Sequence, residues 1–474
     1  MTQLLRNPGK KLYTGFVIQL ISLLMAGFCE FSFIALAAWL SDAFYDFLHV
    51  VFGVSCFTFW LATILLPLSR PVWRNIVLSV VMVLWFLIVE ILHRSRQMEP
   101  HSIFLFLSVY LTAFPFASIT RDEKGQKGIC LVAGIYVAAS LLLLANGLML
   151  ILDIVPEALE EYVGWNGGRL QPVYHPNLAA RIFMIGLVFC MGFLAKSKGI
   201  PFKAAMLVAA VLLFVGIALT NSRACVLMTC LILAGNIFFS IHNGSFWRFI
   251  LGGAAAVLAA AVCFISANGL FQWNNDRLIR QSAMEVVEEQ VSYQMDAQPI
   301  QNPEYQVQFL SAGGAGAEEQ VDENFNSPQG SWLSDLPTLN SRTFIWKEAL
   351  RRIVYEPEIL MWGTDHTTIE TESFFVLHSH NAWLETLLRL GLPGFVLSLL
   401  FTWKAVWSSL CLLWHNGASL WKKNIAMLVL GLLMTSVIEP SLFFTTEDCH
   451  YVDFIFFLCL GYLTLWKQRI PKKK

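Results

Sequence analysis

His378-Ser379-His380-Asn381, then Ala382 through Leu390, then Gly391-Leu392-Pro393-Gly394 and the apolar run Phe395 to Trp414, is the stretch that decides the fold. A polar segment ends at the histidines and an apolar one begins directly after them. Asn381 is placed to N-cap a helix, with Glu385 in its first turn and Arg389 one turn later. The Gly-x-Pro-Gly step then breaks that helix ahead of a run long enough to cross a bilayer. Taken alone, the stretch is a capped helix entering a membrane, with the histidines as incidental loop polars. The rest of the chain gives the histidines more to do.

Of the 474 residues, 56% are hydrophobic and only 14% are charged, and the mean hydropathy is +0.60. A soluble domain does not need so much apolar residue, so the composition predicts an all-α polytopic membrane protein. The net charge of −1 gives no reason to expect nucleic acid as a partner. The ten cysteines are not a disulfide supply. All but Cys449 fall in apolar segments, where cysteine acts as a small hydrophobe. The first apolar run is long and is not followed by a small-residue cleavage site, so it reads as a retained span.

The twenty-residue rule predicts about twelve transmembrane helices, at 13–38, 47–67, 74–92, 102–119, 128–153, 177–195, 203–220, 222–241, 248–267, 392–414, 424–440 and 450–466. Lys and Arg cluster in the N-terminus, around Arg70 and Arg74, at Arg121 to Lys127, at Lys196 to Lys203, at Arg248, at Lys422-Lys423 and in the C-terminal tail. These segments fall on one side, which is cytoplasmic by the positive-inside rule and holds both termini. The opposite loops are acidic, although Arg94 and Arg96 in one of them run against the rule. Lys404 lies within a span and is expected to snorkel to the cytoplasmic face. The chain divides into an N-terminal membrane region at 1–267 with nine spans, a large extracytoplasmic loop at 268–391, and a C-terminal membrane region at 392–474 with three spans.

Within the large loop, Asp276 to Met295 is amphipathic, acidic and helical by pattern. Ser311 to Pro337 is rich in Gly, Ser and Asn and has no period. Ser341 to Tyr355 has a helical period, with Phe344, Ile345, Ala349, Leu350 and Ile353 on one side. Asn340 and Ser341 are cap candidates, and Pro357 follows the end. Several charges then require an explanation. Arg223 opens a span directly after Thr220-Asn221-Ser222. Arg181 sits one turn into the sixth span, after His175-Pro176-Asn177. An arginine in such a place points to a partner or a water-filled cavity, or else snorkels to lipid phosphates. In the predicted topology His380, Arg223, Arg342, Arg181 and His175 all meet at the outer face. Several cations and a base beside one membrane surface suit an anionic lipid head, most naturally a diphosphate. Glu439 is placed to orient one of them.

Metal binding competes for His378 and His380, since a His-x-His pair can ligate zinc. The loop offers no Cys, and Asp365-His366, Glu370 and Glu372 do not fall at a recurrent ligand spacing, so no metal and no cofactor are expected. No phosphate-cradling glycine loop and no nucleophile elbow appears.

Together these residues resemble a family. His380-Asn381, nine residues, then Gly391-x-x-Gly394 is similar to the signature of the O-antigen ligase and Wzy-type O-antigen polymerase family. Arg342-Thr343-Phe344-Ile345-Trp346, with Ala349-Leu350 and Pro357, resembles the segment that precedes the signature there. His175-Pro176-Asn177-x-Ala179 and Ser222-Arg223 resemble family patterns at earlier span starts. The likeness covers about residues 170 to 440. Where the family often shows Gly-x-Gly after the proline, this chain has Trp362-Gly363-Thr364-Asp365 and lacks the second glycine.

The resemblance implies a GT-C-like membrane fold and an inverting, metal-independent glycosyl transfer at the extracytoplasmic face of the cytoplasmic (inner) membrane. The donor would be a glycan on undecaprenyl diphosphate. The acceptor would be a lipid-anchored saccharide, a protein or a growing polymer. His380 would take the proton of the acceptor hydroxyl. Arg223, Arg342 and Arg181 would bind the diphosphate. His175, Asn177, Asn381, His378, Gly391 and Gly394 would support them. A Wzy-type polymerase is the alternative within the family. A transporter is the alternative outside it, but a carrier would place its charges near the midplane and show symmetry between its halves.

Overall fold

The structure is a computed structural model that describes residues 8–64, 70–93, 123–160, 162–166, 169–242, 246–296, 342–364, 369–370, 375–376, 379–415, 417–438, 442–443 and 450–466. It opens with α1 (Pro8–Leu36), α2 (Asp42–Ile64), α3 (Arg70–Leu92) and α4 (Glu123–Ile151). A short antiparallel hairpin follows, β1 (Gly164–Asn166) and β2 (Arg169–Gln171), with Asn166 opposite Arg169 and Gly164 opposite Gln171. Next come α5 (Pro176–Lys196), α6 (Ile200–Leu219), α7 (Arg223–Ile241) and α8 (Phe246–Asp296). After residue 341 come α9 (Arg342–Tyr355), α10 (Pro357–Trp362), the two-residue strands β3 (Ile369–Glu370) and β4 (Phe375–Val376), and then α11 (Ala382–Leu413), α12 (Leu420–Ser436) and α13 (His450–Trp466).

Among the described residues, eight helices are long and apolar enough to cross a membrane: α1, α3 to α8, and α11. Shorter apolar helical segments run over Ala43–Phe59 in α2 and Tyr451–Thr464 in α13. The helix α12 has 17 residues. These elements coincide with eleven of the expected spans, and the expected span at 102–119 lies outside the described residues. The chain is a multi-pass membrane protein.

The centre of the bundle is α5. Nearly every residue from Pro176 to Gly192 is buried, because α4, α6 and α12 all pack on it. By contrast, α8 keeps most of its membrane-length segment on the surface, with Val257, Leu258, Val262 and Ile265 exposed. Lipid tails are as apolar as these side chains, so the exposure costs nothing in a bilayer. At 51 residues, or roughly 75 Å at the helical rise, α8 is far longer than a bilayer needs. It passes without a break through residue 267 and includes the stretch from Asp276 whose pattern already read as helical.

Polar side chains brace the bundle where apolar packing alone would leave register free. The Lys404 Nζ donates to Asn75 Oδ1 at 2.6 Å, and Asn75 Nδ2 donates to Thr464 Oγ1 at 2.9 Å, so α11, α3 and α13 are linked. The hydroxyl of Tyr136 on α4 lies 3.2 Å from Glu30 Oε2 on α1 and 3.0 Å from the carbonyl oxygen of Tyr451 on α13. A buried ionisable group inside a span is tolerated with such partners.

The helix α9 departs from its expected apolar side. Ile345, Ala349 and Ile353 are buried, at i, i+4 and i+8, while Phe344 and Leu350 are 53% and 52% exposed. The buried line is one residue wide, so side chains a step to either side lie off it. Arg352 donates from Nη2 to Thr364 Oγ1 at 3.2 Å. The proline after α9 does not begin a loop: Pro357 is the first residue of α10, a position where its missing N–H is no loss.

Candidate functional site

Asn381 caps α11 as its sequence predicts, its Oδ1 accepting from the backbone N–H of Trp383 at 3.1 Å and of Leu384 at 2.9 Å. Its Nδ2 donates to the carbonyl oxygen of Val437 at 2.8 Å, which fastens the start of α11 to the end of α12. Glu385, fully buried, reaches back so that its Oε2 accepts from the Ser379 N–H at 2.8 Å. Its other oxygen lies 3.9 Å from Arg389 Nε. Between two anchored neighbours stands His380, half-buried, in the left-handed region at φ +52°. Such a conformation is uncommon outside glycine and persists only where the surroundings impose it, often at functional sites.

The helix breaks where the glycine signature stands. Gly391 has φ +65° and divides α11 into a short segment, Ala382 to Leu390, and the membrane-length segment after it. Across from it Gly363 has φ +78°. A Cβ on Gly391 would fall 2.6 Å from the carbonyl oxygen of Met361, and one on Gly363 would fall 2.1 Å from that of Arg389. The two glycines therefore let the end of α10 lie backbone to backbone on the kink. Thr364 N donates to the Leu388 carbonyl at 2.7 Å across this junction. On the other side Trp85 Nε1 of α3 donates to the Leu390 carbonyl at 2.7 Å, and its ring stacks on Trp362. Gly394 is tight against its own helix, where a Cβ would meet Leu390 Cβ at 2.3 Å. These glycines shape the support of His380. A cavity of about 500 Å³ opens beside the junction, lined among others by His93, Tyr355, Glu356, Glu358 and Trp362.

The cations come from other helices. Phe189 and Phe193 near the end of α5 pack on Trp421 at the start of α12, so the two helices are antiparallel. Lys423 lies over the Phe239 ring, and Gly235 faces the Met427 sulfur, so α7 also runs against α12. The starts of α5 and α7 consequently lie at the end of α12 where Val437 holds Asn381. His175, Asn177, Arg181, Arg223, His380 and Asn381 are thus gathered at one end of the bundle, from three separate helices. At the α5 start His175 is the N-cap, its Nδ1 accepting from Asn177 N at 3.4 Å, and Pro176 occupies the first turn. Arg223 is the first residue of α7.

Arg181 lies one turn inside α5 and is 3% exposed. Its Nε has no hydrogen-bond partner, and no ion pair to it occurs, among the described residues. Arg342 is the first residue of α9. Ile345, Ala349 and Ile353 of α9 join Leu388 in a small cluster with Leu384 and Leu387 packed against it. Arg352 at the far end of α9 meets Thr364 beside Leu388. The helix therefore runs back along the first segment of α11 and carries Arg342 toward its Asn381 end. His378 and Glu439 lie outside the described residues, as do Asn340, Ser341, Asp365 and His366. Among the described residues no three His, Cys, Asp or Glu side chains gather as metal ligands do.

One residue at this end was missed in the sequence. Arg169, on β2, donates from Nε to the Thr220 carbonyl at 2.8 Å and from Nη2 to Asn177 Oδ1. Its signal was the Gly-Gly pair in Asn166-Gly167-Gly168-Arg169, a hairpin signature within a loop read only as acidic. Arg277 of α8 is another: its Nη1 donates to the Ile151 carbonyl at 3.1 Å and its guanidinium lies over Trp165.

No curated protein matches the chain. A family model described as O-antigen ligase (Wzy_C) matches residues 208–399, which run from α6 into the membrane-length segment of α11 and take in Arg223, Arg342, His380, Asn381 and the kink. Over those residues, about two fifths of the chain, the sequence is similar to the O-antigen ligase family.

Proposed function

We propose that the protein is a ligase-type glycosyltransferase that moves a glycan from undecaprenyl diphosphate to an acceptor hydroxyl at the outer face of the cytoplasmic membrane. The observation that carries this reading is Arg181: a guanidinium 3% exposed, with no anionic side chain paired to it among the described residues. Leaving a buried charge unpaired is costly, so an anion from outside the chain is the natural complement. The starts of α5 and α7 lie at the same end and add the positive ends of two helix dipoles, a setting that favours phosphate. Arg223 stands on one of them. Arg342 approaches from α9.

In the proposed reaction the acceptor oxygen attacks the anomeric carbon and inverts it. The acceptor proton passes to His380, and the bond from the anomeric carbon to the diphosphate oxygen breaks with its electron pair leaving on the diphosphate. Arg181, Arg223 and Arg342 stabilise the charge that develops there, so no step calls for a metal. About twelve spans would place both termini in the cytoplasm and residues 268–391 outside.

Binding of undecaprenyl diphosphate to the detergent-solubilised protein tests the clamp. Arg181→Ala and Arg223→Ala are expected to weaken it by roughly tenfold or more each, since hydrogen bonds to charged groups are worth about 1.5–3 kcal/mol. Arg223→Lys is expected to restore only part, because an ammonium cannot replace a bidentate fork. Wild-type affinity in both alanine variants would end the diphosphate reading.

A further inference from the structure

We propose that Arg169 is a positioning residue that sets the spacing of Arg181 and Arg223 around the diphosphate; this rests on the diphosphate reading above. Two of its N–H groups are already committed to protein acceptors on different elements. Nε holds the Thr220 carbonyl at the end of α6, three residues before Arg223, and Nη2 holds Asn177 in the first turn of α5, four residues before Arg181. Only a planar, forked cation binds two such acceptors with fixed geometry.

The fork itself is held rigidly. Arg169 pairs with Asn166 across the hairpin, and the next residue, Leu170, is fully buried, its side chain against Gly147 of α4. The segment that continues into α5 is tied a second time, through the Tyr174 hydroxyl and the Phe33 carbonyl of α1. On the receiving side Thr220 is fully buried and Asn221 takes a left-handed conformation at φ +47°, so the corner leading to Arg223 has little freedom. Removing Arg169 would break both of these ties between the start of α5 and this corner. The two guanidiniums would then keep their helices but lose their mutual distance, and a diphosphate needs both at once.

A double-mutant cycle on undecaprenyl diphosphate binding separates this role from simple stabilisation. Arg169→Ala is expected to raise Kd by roughly tenfold, about 1.4 kcal/mol. In an Arg223→Ala background the same change is expected to cost less than about twofold, because the group it positions is gone. Arg169→Lys, which reaches one acceptor but not both, is expected to fall between and carries the same comparison if the alanine variant does not fold. An equal loss in both backgrounds would overturn the proposal, since Arg169 would then act independently of Arg223. Wild-type binding by Arg169→Ala alongside a defective Arg223→Ala protein would overturn the strut and leave the diphosphate reading standing. Wild-type binding by Arg181→Ala and Arg223→Ala would remove both.

Discussion

At the scale of single residues, the chemistry proposed here depends on a histidine in a conformation histidines seldom adopt. His380 is left-handed at φ +52°, between Ser379, whose N–H is held by the Glu385 carboxylate, and Asn381, which caps α11 and is tied to α12. Its ring is aimed by the backbone on both sides, which suits a proton acceptor that must meet a hydroxyl at one place. His380→Ala is expected to lower glycan transfer by about 10² to 10⁴-fold, the usual share of a general base, while undecaprenyl diphosphate still binds. His378→Ala is expected to cost much less, and transfer is expected to survive EDTA. Equal losses from both histidines together with chelator sensitivity would favour a metal site, and full turnover by the His380→Ala protein would remove the base assignment. Surface glycan from cells complemented with each variant gives the readout. The cap and its flanking carboxylate were legible in sequence, because capping rules act within four residues. The left-handed backbone was not, because it follows from anchors that Glu385 and Val437 supply from outside the loop.

Elements show why the glycine signature is spaced as it is. The break after Leu390 was readable from Gly-x-Pro-Gly alone. What it serves was not, since its partner is Gly363, whose contact depends on how α10 returns to the membrane helices. Each glycine gives the other helix's carbonyl room that a Cβ would take. Gly391→Ala and Gly363→Ala are each expected to destabilise the protein by more than about 2 kcal/mol, because left-handed strain of about 1–2 kcal/mol adds to the steric conflict. Melting temperatures in detergent measure this, and near-native values would show that the α10–α11 junction yields easily. The family often carries a second glycine where this chain has Asp365. Here the junction closes with Gly363 and the Thr364 N–H to the Leu388 carbonyl, both ahead of that position. The same dependence on tertiary contact hid Arg169, whose acceptor Thr220 lies 51 residues away in the chain, and the Lys404 link to Asn75.

For the whole molecule, the reading requires that one end of the bundle face outward and the other face the cytoplasm. Two features bear on which is which. The proposed site gathers where α5, α7 and α11 begin and α12 ends, whereas Lys196, Lys422 and Lys423 lie at the other end, with Lys196 Nζ over the Trp421 ring. Arg277 and Arg389 also lie on the site side, but Lys196, Lys422 and Lys423 are opposite it, on the side that the positive-inside rule would make cytoplasmic. Single cysteines placed at Gln320 and His380 in a cysteine-depleted chain are therefore expected to react with an impermeant thiol reagent on intact cells stripped of their outer barrier. Cysteines at Lys124 and Lys422 are expected to react only after the membrane is opened. His380 is half-buried, so its labelling is expected to be slow. Protection of position 380 by added undecaprenyl diphosphate would place the ligand at the same end. Labelling of 320 and 380 solely from the cytoplasmic side would invert the protein. Transfer would then have to occur on the cytoplasmic face, and the outer-face acceptor would be lost with it.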